Sequence, residues 1–160
     1  RPVQPRPVQV RPRPVAVRPV PPGPVAATCR GGATRGYANG FLPLSALCPL
    51  SVGGGHRLRA DAAAAFNRMA AAHPLCVNDS YRSYAEQVDV YRRKPALAAV
   101  PGTSNHGWGV AVDLGCGAES FGTPMYRWLK ANAPRYGFVH PAWAEPGGSR
   151  PEPWHWEYVG

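Results

Sequence analysis

One histidine and one aspartate in the middle of the chain have the spacing of two metal ligands. His106 and Asp113 lie seven positions apart, with Gly107 and Gly109 between them. An unbroken strand would turn two such side chains to opposite faces, so the glycines are needed to redirect the backbone after His106. The alternation in 110–114 predicts a strand on which Asp113 faces a site and its apolar neighbours face the core. The stretch therefore predicts a loop-and-strand unit with two inward ligands.

The C-terminal stretch offers a third ligand in His155. This histidine follows Glu152 by three positions and comes directly after Trp154. Three protein ligands plus one water is the composition of a catalytic zinc site, whereas structural zinc sites usually have four protein ligands. Glu152 can then lie beside the water as a general base. A single histidine is more often structural than a ligand, but the two clusters together favour a metal centre held by His106, Asp113 and His155.

Both clusters resemble the signatures of one enzyme family. The SxHxxGxAxD signature of the VanY-type D-alanyl-D-alanine carboxypeptidases is matched by Ser104, His106, Gly109, Ala111 and Asp113. The stretch Glu152-Pro153-Trp154-His155 resembles the second signature of that family, ExWH. The resemblance covers roughly residues 29–160. Two motifs in the right order and at a plausible distance make it specific.

The resemblance implies a zinc-dependent enzyme, with one Zn²⁺ ion, that trims the terminal D-alanine from peptidoglycan stem peptides. It implies that Glu152 is the general base and that Arg82, in the segment 80–87, stabilises the oxyanion or the substrate. Arginine suits either task because it is permanently charged and donates two parallel hydrogen bonds. The resemblance implies that Ser104 and Gln87 contact the substrate, and Trp154 is expected to form a wall of the pocket. For these three residues a structural role, in a capped loop or as a packed ring, is the alternative.

Three other functions remain open from the sequence. A hydrolase built on Ser104, His106 and Asp113 is disfavoured because the chain has no nucleophile elbow and such a triad would leave Glu152 and His155 unused. A zinc-containing cell-wall binding module is the alternative from another class of protein, because the Hedgehog signalling domain, which resembles the same fold, uses its metal centre for interaction. The presence of both Glu152 and Arg82 argues against it. Related endolysins cut between L-alanine and D-glutamate inside the stem, but their second motif differs from ExWH.

The charge of the chain is uneven. The 160 residues carry a formal net charge of +9, and residues 1–28 contain five of the 18 basic residues and none of the nine acidic ones. The rest of the chain is only mildly basic, without a basic face interleaved with aromatic residues, so nucleic acid is not the expected partner. The expected partner is the peptidoglycan stem peptide in an anionic cell wall, and we expect a monomer.

Four cysteines, at positions 29, 48, 76 and 116, fit neither a structural zinc site nor a redox dithiol. Two disulfides are favoured over four reduced thiols, which predicts an extracytoplasmic protein, secreted or associated with the cell wall. Of the three possible pairings we favour Cys76 with Cys116, because Cys76 falls in one predicted strand and Cys116 lies just beyond another, and Cys29 with Cys48. The sequence contains no apolar run long enough to span a membrane, and an anchor upstream of Arg1 would be out of view.

The expected architecture is an α+β domain over 29–160, with a small, mostly antiparallel sheet that carries the site and packs against about three helices. Residues 1–28, rich in proline, arginine and valine, predict an extended linker. An irregular segment is expected over 29–55. Periodicity and capping residues predict helices over 59–72, 84–94 and 124–132 and strands over 75–79, 110–114, 138–139 and 154–159.

Four further polar side chains are expected to have supporting or incidental positions. His56 and His73 flank the first predicted helix without acidic partners at ligand spacing, and His140 lies in a turn bounded by proline. These three histidines are expected to be structural or exposed. Asp79, at the end of a predicted strand, is expected to support the site from outside the ligand set.

Overall fold

The computed structural model describes residues 29–160, and the predicted linker over 1–28 lies outside the described residues. Three α-helices form within this range: α1 (Ala60–Ala72), α2 (Tyr84–Arg93) and α3 (Pro124–Asn132). All three predicted helices are thus confirmed, with ends that differ from the expected ones by at most one residue. None of these helices is long and apolar enough to cross a bilayer.

Capping residues account for where α2 and α3 begin. Ser83 Oγ accepts a hydrogen bond from the backbone N–H of Glu86, and the Glu86 carboxylate accepts one from the backbone N–H of Ser83. This reciprocal capping box satisfies N–H groups that have no partner inside the helix. Thr123 Oγ1 accepts from the N–H of Tyr126 in the same way, and Pro124 occupies the first helical position, where its missing N–H costs nothing.

Six short strands form two antiparallel sheets. The two-stranded sheet pairs β1 (Leu47–Pro49) with β2 (Arg57–Arg59). The four-stranded sheet contains β3 (Val77–Asp79), β4 (Ala111–Leu114), β5 (Phe138–Val139) and β6 (His155–Tyr158), in the order β3-β4-β6-β5. All pairings in it are antiparallel. The predicted α+β fold class is confirmed.

The expectation of an irregular segment over 29–55 is wrong in part, because β1 lies inside it. Three residues are too few to show the alternation by which a strand is recognised, and β1 ends in a proline. The turn that joins β1 to β2 contains Gly53, Gly54 and Gly55, all with positive φ, a conformation that glycine adopts without steric cost. The glycine run therefore closes a hairpin.

The core lies between the larger sheet and the helices α1 and α3. Phe66 and Met69 of α1 and Leu129 of α3 are fully buried with Phe138 and Trp156 of the sheet. The helix α2 contributes no residue to this core, and the one residue that it buries is Gln87.

Both expected disulfides are present. Cys29 pairs with Cys48 and Cys76 pairs with Cys116, with Cα–Cα distances of 5.7 and 5.6 Å. The second bridge joins the residue before β3 to the loop after β4 and closes a loop of 40 positions. In the chain-entropy model, a cross-link that closes a loop of that length stabilises the folded state by about 4 kcal/mol. The bridge therefore ties together the two strands that carry one side of the site.

Candidate metal centre

The turn Asn105–Trp108 presents His106 to the site. Ser104 precedes this 3₁₀ turn, and its Oγ accepts a hydrogen bond from the N–H of His106. Gly109 ends the turn with φ +65°, and a Cβ there would lie 2.8 Å from the backbone nitrogen of Arg59. A Cβ on Gly107 would lie 2.1 Å from the side-chain oxygen of Asn39. Both glycines are therefore needed where the sequence predicted that the backbone turns.

The register of β4 and β6 brings the other two predicted ligands together. Asp113 is paired directly with His155 across these strands, and paired side chains on one face lie close to each other. The Asp113 carboxylate oxygen Oδ1 lies 3.0 Å from His155 Nδ1 and 3.3 Å from His106 Nε2. One potential ligand atom from each residue lies within 4.8 Å of the other two. Residues separated by 49 positions thus meet at one point.

Each histidine of this cluster is held by an oxygen atom on its far side. His106 Nδ1 donates to the carbonyl of Ser80 at 2.7 Å, which leaves the lone pair of Nε2 facing Asp113. His155 Nε2 lies 3.0 Å from Glu157 Oε1, which leaves Nδ1 for the cluster. Oxygen partners of this kind fix the tautomer and orientation of metal-binding histidines. Two oriented imidazoles and one carboxylate are a donor set that fits Zn²⁺.

Glu157 has a role that our reading of the sequence missed. It lies two residues after His155 on β6, so both side chains project from the same face of the strand. The alternation of side chains along a strand could therefore have identified Glu157 from the sequence. The pKa of Glu157 is lowered, because hydrogen bonds from His155 and Asn105 outweigh the effect of burial. A charged carboxylate consequently faces the back of the His155 ring.

The cluster has strongly coupled charges when no metal is bound. Burial alone would raise the pKa of Asp113, but His106 and His155 outweigh it and hold that pKa well below its usual range. Burial likewise opposes the charged form of His155, but Asp113 and Glu157 raise its pKa to about 9. A proton on His155 therefore occupies the place that a divalent cation would take, and metal binding must release it.

Glu152 lies in the same cleft, between Pro151 and Pro153, and is only 8% exposed. Its pKa is raised, chiefly by burial and also by the negative charge of Asp113, while the charge of His155 acts in the opposite direction. Its backbone N–H donates to the carbonyl of Ala144 at 3.0 Å. A carboxyl group whose pKa lies closer to neutrality is suited to accept and return a proton.

Arg82 lies beside the cluster, in the same cleft. Its Nε and Nη2 donate to Asp79 Oδ2, the former at 3.0 Å, and Nη2 lies 3.8 Å from Asp113 Oδ2. Its Nη1 donates to Gln87 Oε1 at 2.7 Å. Asp79 thus orients the arginine beside the ligand cluster, which is the supporting position that the sequence led us to expect for it.

The expected substrate contact of Gln87 does not fit its position. Gln87 is 2% exposed and does not line the cleft. Its Oε1 accepts from Arg82, and its Nε2 donates to the carbonyl of Ala99 at 2.7 Å. Both ends of the amide are therefore used inside the protein. The side chain links Arg82 to the loop after α2, because α2 turns the residue inward at its one buried position.

An open cleft of about 580 Å³ joins these groups. Besides the three clustered residues, its wall includes Arg82, Glu152, Ser104, Trp154 and Trp143. Ser104 is 6% exposed and its hydroxyl caps the turn that carries His106. Trp154 is half-buried. Of the expected substrate contacts, Ser104 and Trp154 therefore line the cleft.

The other three histidines lie outside the ligand cluster. His56 Nδ1 lies 3.2 Å from the Ser80 hydroxyl, and the His73 ring packs 4.3 Å from that of Trp128. His140 is buried, and its Nε2 donates to the backbone carbonyl of Glu152 at 2.9 Å. The sequence-based expectation did not include this contact with the candidate base.

A cluster of two histidines and one aspartate, with a carboxylic acid and an arginine beside it in an open cleft, defines a metal-dependent hydrolase centre. The family model described as "VanY: D-alanyl-D-alanine carboxypeptidase" matches residues 55–160. The chain belongs to this VanY family of D-alanyl-D-alanine carboxypeptidases. The resemblance found in the two sequence motifs is thereby confirmed.

Similar proteins agree with this assignment. A curated D-alanyl-D-alanine carboxypeptidase of Enterococcus faecalis is 48% identical over 66 residues, which are 39% of this chain and 25% of the relative. The match therefore spans a quarter of that relative's length. The solved structure of VanYB in complex with D-alanine-D-alanine is 32% identical, covers 71% of this chain and 77% of its own, and has a TM-score of 0.57.

Two further solved structures are similar to the chain. One is a vancomycin-resistance D,D-pentapeptidase VanY in complex with Zn(II), at 30% identity, with 74% of this chain and 83% of that chain covered and a TM-score of 0.57. The other is the LD-carboxypeptidase LdcB, at 29% identity, with 76% of this chain and 71% of that chain covered and a TM-score of 0.62.

Proposed function

We propose that this protein is a zinc-dependent D-alanyl-D-alanine carboxypeptidase that removes the terminal D-alanine from peptidoglycan stem peptides. The observation that carries the proposal is the convergence of His106, Asp113 and His155 in one cleft with Glu152 and Arg82. Family membership and the solved relatives that contain Zn(II) or D-alanine-D-alanine support it. The two imidazoles and the carboxylate would hold the ion.

Glu152 acts as the general base and then as the general acid. When bound, zinc supplies Lewis acidity and lowers the pKa of water at the site. Glu152 accepts a proton from the attacking water and delivers it to the nitrogen of the departing D-alanine. Its raised pKa makes the carboxylate a stronger base for the first transfer, and the carboxyl group then keeps the proton in the cleft until the amine leaves.

Arg82 stabilises negative charge on the substrate. Its guanidinium lies beside the ligand cluster in the cleft and is oriented by Asp79 and Gln87. From there it donates to the carbonyl oxygen as charge develops, or to the terminal carboxylate, and either contact is charge-assisted. Ser104 contacts the peptide through its hydroxyl. Trp154 forms one wall of the pocket that holds the side chain of the substrate's terminal D-alanine.

The protein acts outside the cytoplasm, secreted or associated with the cell wall. Two disulfides within one domain support this proposal, because such bonds persist in oxidising compartments. The stem peptides of peptidoglycan are accessible in the same compartment. The net charge of +9 favours contact with an anionic wall.

The decisive experiment is to incubate the zinc-loaded protein with a pentapeptide muropeptide, with and without chelator, and to measure fragment masses. Loss of one alanine in the metal-replete sample alone is the expected result. Cleavage between L-alanine and D-glutamate, which releases a peptide that begins with D-glutamate, would instead support the endopeptidase alternative. Retention on sacculi without any release would support a binding module, and zinc-loaded protein that releases no amino acid would overturn the enzymatic proposal.

Two variants separate metal binding from proton transfer. Glu152→Gln should retain zinc and lower kcat by at least about 10²-fold, because it keeps the shape but removes the base. His106→Ala should lose both zinc and activity. Glu119→Gln is a matched control, since Glu119 is an exposed glutamate outside the cleft, and its kcat should not change. Normal turnover by the Glu152 variant would remove that residue from the mechanism.

Cleavage of the L,D bond of a tetrapeptide is a second candidate. The likeness to the LD-carboxypeptidase LdcB, with a TM-score of 0.62, favours it. Both reactions release a terminal D-alanine and differ in the configuration of the residue before it. Comparing kcat/KM on pentapeptide and tetrapeptide muropeptides distinguishes them, because the preferred substrate identifies the bond.

A further inference from the structure

The backbone around Glu152 is fastened at three points. Its N–H donates to the carbonyl of Ala144, and its carbonyl accepts both the N–H of His155 and Nε2 of His140. Glu152 lies outside any helix or strand, between two prolines that contribute no N–H groups. These few bonds therefore fix the backbone from which the carboxylate projects. Of the three partners, the imidazole of His140 is the one that comes from a side chain.

His140 is enclosed by aromatic rings. Its side chain is completely buried. Ring centroids lie 5.0 Å away in Trp156, 5.4 Å in Tyr126 and 6.2 Å in Phe121, the last two edge-on. A ring packed in this way has little freedom to tilt. Its Nε2 is consequently held in line with the Glu152 carbonyl.

The carboxylate of Glu145 lies beside the other edge of the His140 ring. His140 Nδ1 lies 3.2 Å from Glu145 Oε1. Glu145 in turn accepts from the Tyr126 hydroxyl at 3.2 Å and from Lys130 Nζ. Tyr126 and Lys130 lie four residues apart on α3, so both reach Glu145 from the same face of the helix. The contacts therefore run from α3 through Glu145 and His140 to the backbone of Glu152.

We propose that His140, held in place by the aromatic rings around it, is a positioning residue that holds the Glu152 segment so that the carboxylate reaches the catalytic water. This inference rests on the proposed function, in which Glu152 is the base. His140 contacts neither the ligand cluster nor the cleft. It acts only through the backbone of Glu152, so its removal should change proton transfer more than substrate binding.

Two amide variants test the proposal, because they differ in which ring nitrogen they replace. The side-chain amide of glutamine reaches about as far as Nε2, whereas that of asparagine reaches about as far as Nδ1. His140→Gln should retain the donor to Glu152 and keep kcat within about threefold of wild type. His140→Asn should lose that donor and lower kcat by about 10 to 100-fold, with KM within about twofold and zinc content unchanged.

A second measurement does not depend on activity. Amide hydrogen exchange of the zinc-loaded protein, followed residue by residue by NMR, should be at least about tenfold faster at Glu152 and His155 in His140→Asn than in His140→Gln. Phe66→Leu is the packing control, because it removes a fully buried ring that packs against Phe138, and it removes no hydrogen bond. It should lower the melting temperature while kcat stays within about twofold of wild type.

The outcomes distinguish this proposal from the proposed function. Equal kcat values for folded, zinc-loaded His140→Asn and wild type would overturn the positioning role, as would equal losses in the asparagine and glutamine variants. If the wild-type protein releases no D-alanine, the proposed function fails. The amide exchange rates would still report whether His140 holds the Glu152 segment. Rates in His140→Asn equal to those of wild type would overturn the positioning role independently of activity.

Discussion

Replacing Gln87 by methionine distinguishes a substrate contact from a residue that supports Arg82. Methionine has a similar length and no branch, so it can occupy the same space without the amide. The change removes the acceptor for Arg82 Nη1 and the donor to the Ala99 carbonyl, both of which lie 2.7 Å from Gln87. Because Gln87 is 2% exposed, water cannot easily replace either partner.

The expected loss of stability follows from these two bonds. A hydrogen bond to a charged group contributes about 1.5 to 3 kcal/mol, and a neutral one about 1 kcal/mol. Gln87→Met should therefore lower the free energy of unfolding by roughly 2 to 4 kcal/mol. Arg82 retains Asp79 as a partner, so its guanidinium should stay in the cleft with a less defined orientation. We expect kcat/KM to fall about tenfold, mainly through kcat.

Urea unfolding of the zinc-loaded protein and steady-state kinetics on a D-alanyl-D-alanine peptide provide the test. Gln87→Glu is the matched control, because it keeps an acceptor for Arg82 and loses only the donor to Ala99. Its kcat should lie closer to that of wild type than that of the methionine variant. An unchanged unfolding midpoint in Gln87→Met, together with a tenfold higher KM and normal kcat, would refute this reasoning and restore Gln87 as a substrate contact.

Two further predictions concern stability. Gly107→Ala should lower the free energy of unfolding by about 2 to 4 kcal/mol, because its Cβ would displace Asn39 and break the bond from that side chain to the Ser104 carbonyl. An unaltered urea midpoint would contradict this expectation. For chelator-treated protein, the free energy of unfolding should fall by up to about 3 kcal/mol between pH 6.5 and 9. The pKa of His155 is raised, so its stabilising effect is complete below the unfolded value of 6.5 and is lost as the pH passes about 9. Chemical unfolding at several pH values would show this slope, which zinc should abolish; a flat curve without metal would count against it.

The helix starts, the pairing of His106 with Asp113 and the cysteine pairing could be predicted from local sequence patterns. Ser83 with Glu86, and Thr123 with Pro124, mark the starts of α2 and α3, because a helix leaves its first N–H groups to be satisfied by nearby side chains. His106 and Asp113 could be paired because glycines permit one turn and a strand has a period of two. The cysteine pairing was favoured because Cys76 falls in one predicted strand and Cys116 lies just beyond another.

The supporting contacts depended on tertiary structure. Glu157 faces His155, and Gln87 is buried against Arg82 and does not line the cleft. His140 reaches the Glu152 carbonyl across 12 positions of the chain. These contacts are set by strand register and by which face of each helix is buried, and both depend on the packing of the whole domain. The sequence alone therefore determined which groups could do the chemistry, and only the folded chain decided which residues orient them, because hydrogen-bond direction is a property of three-dimensional geometry.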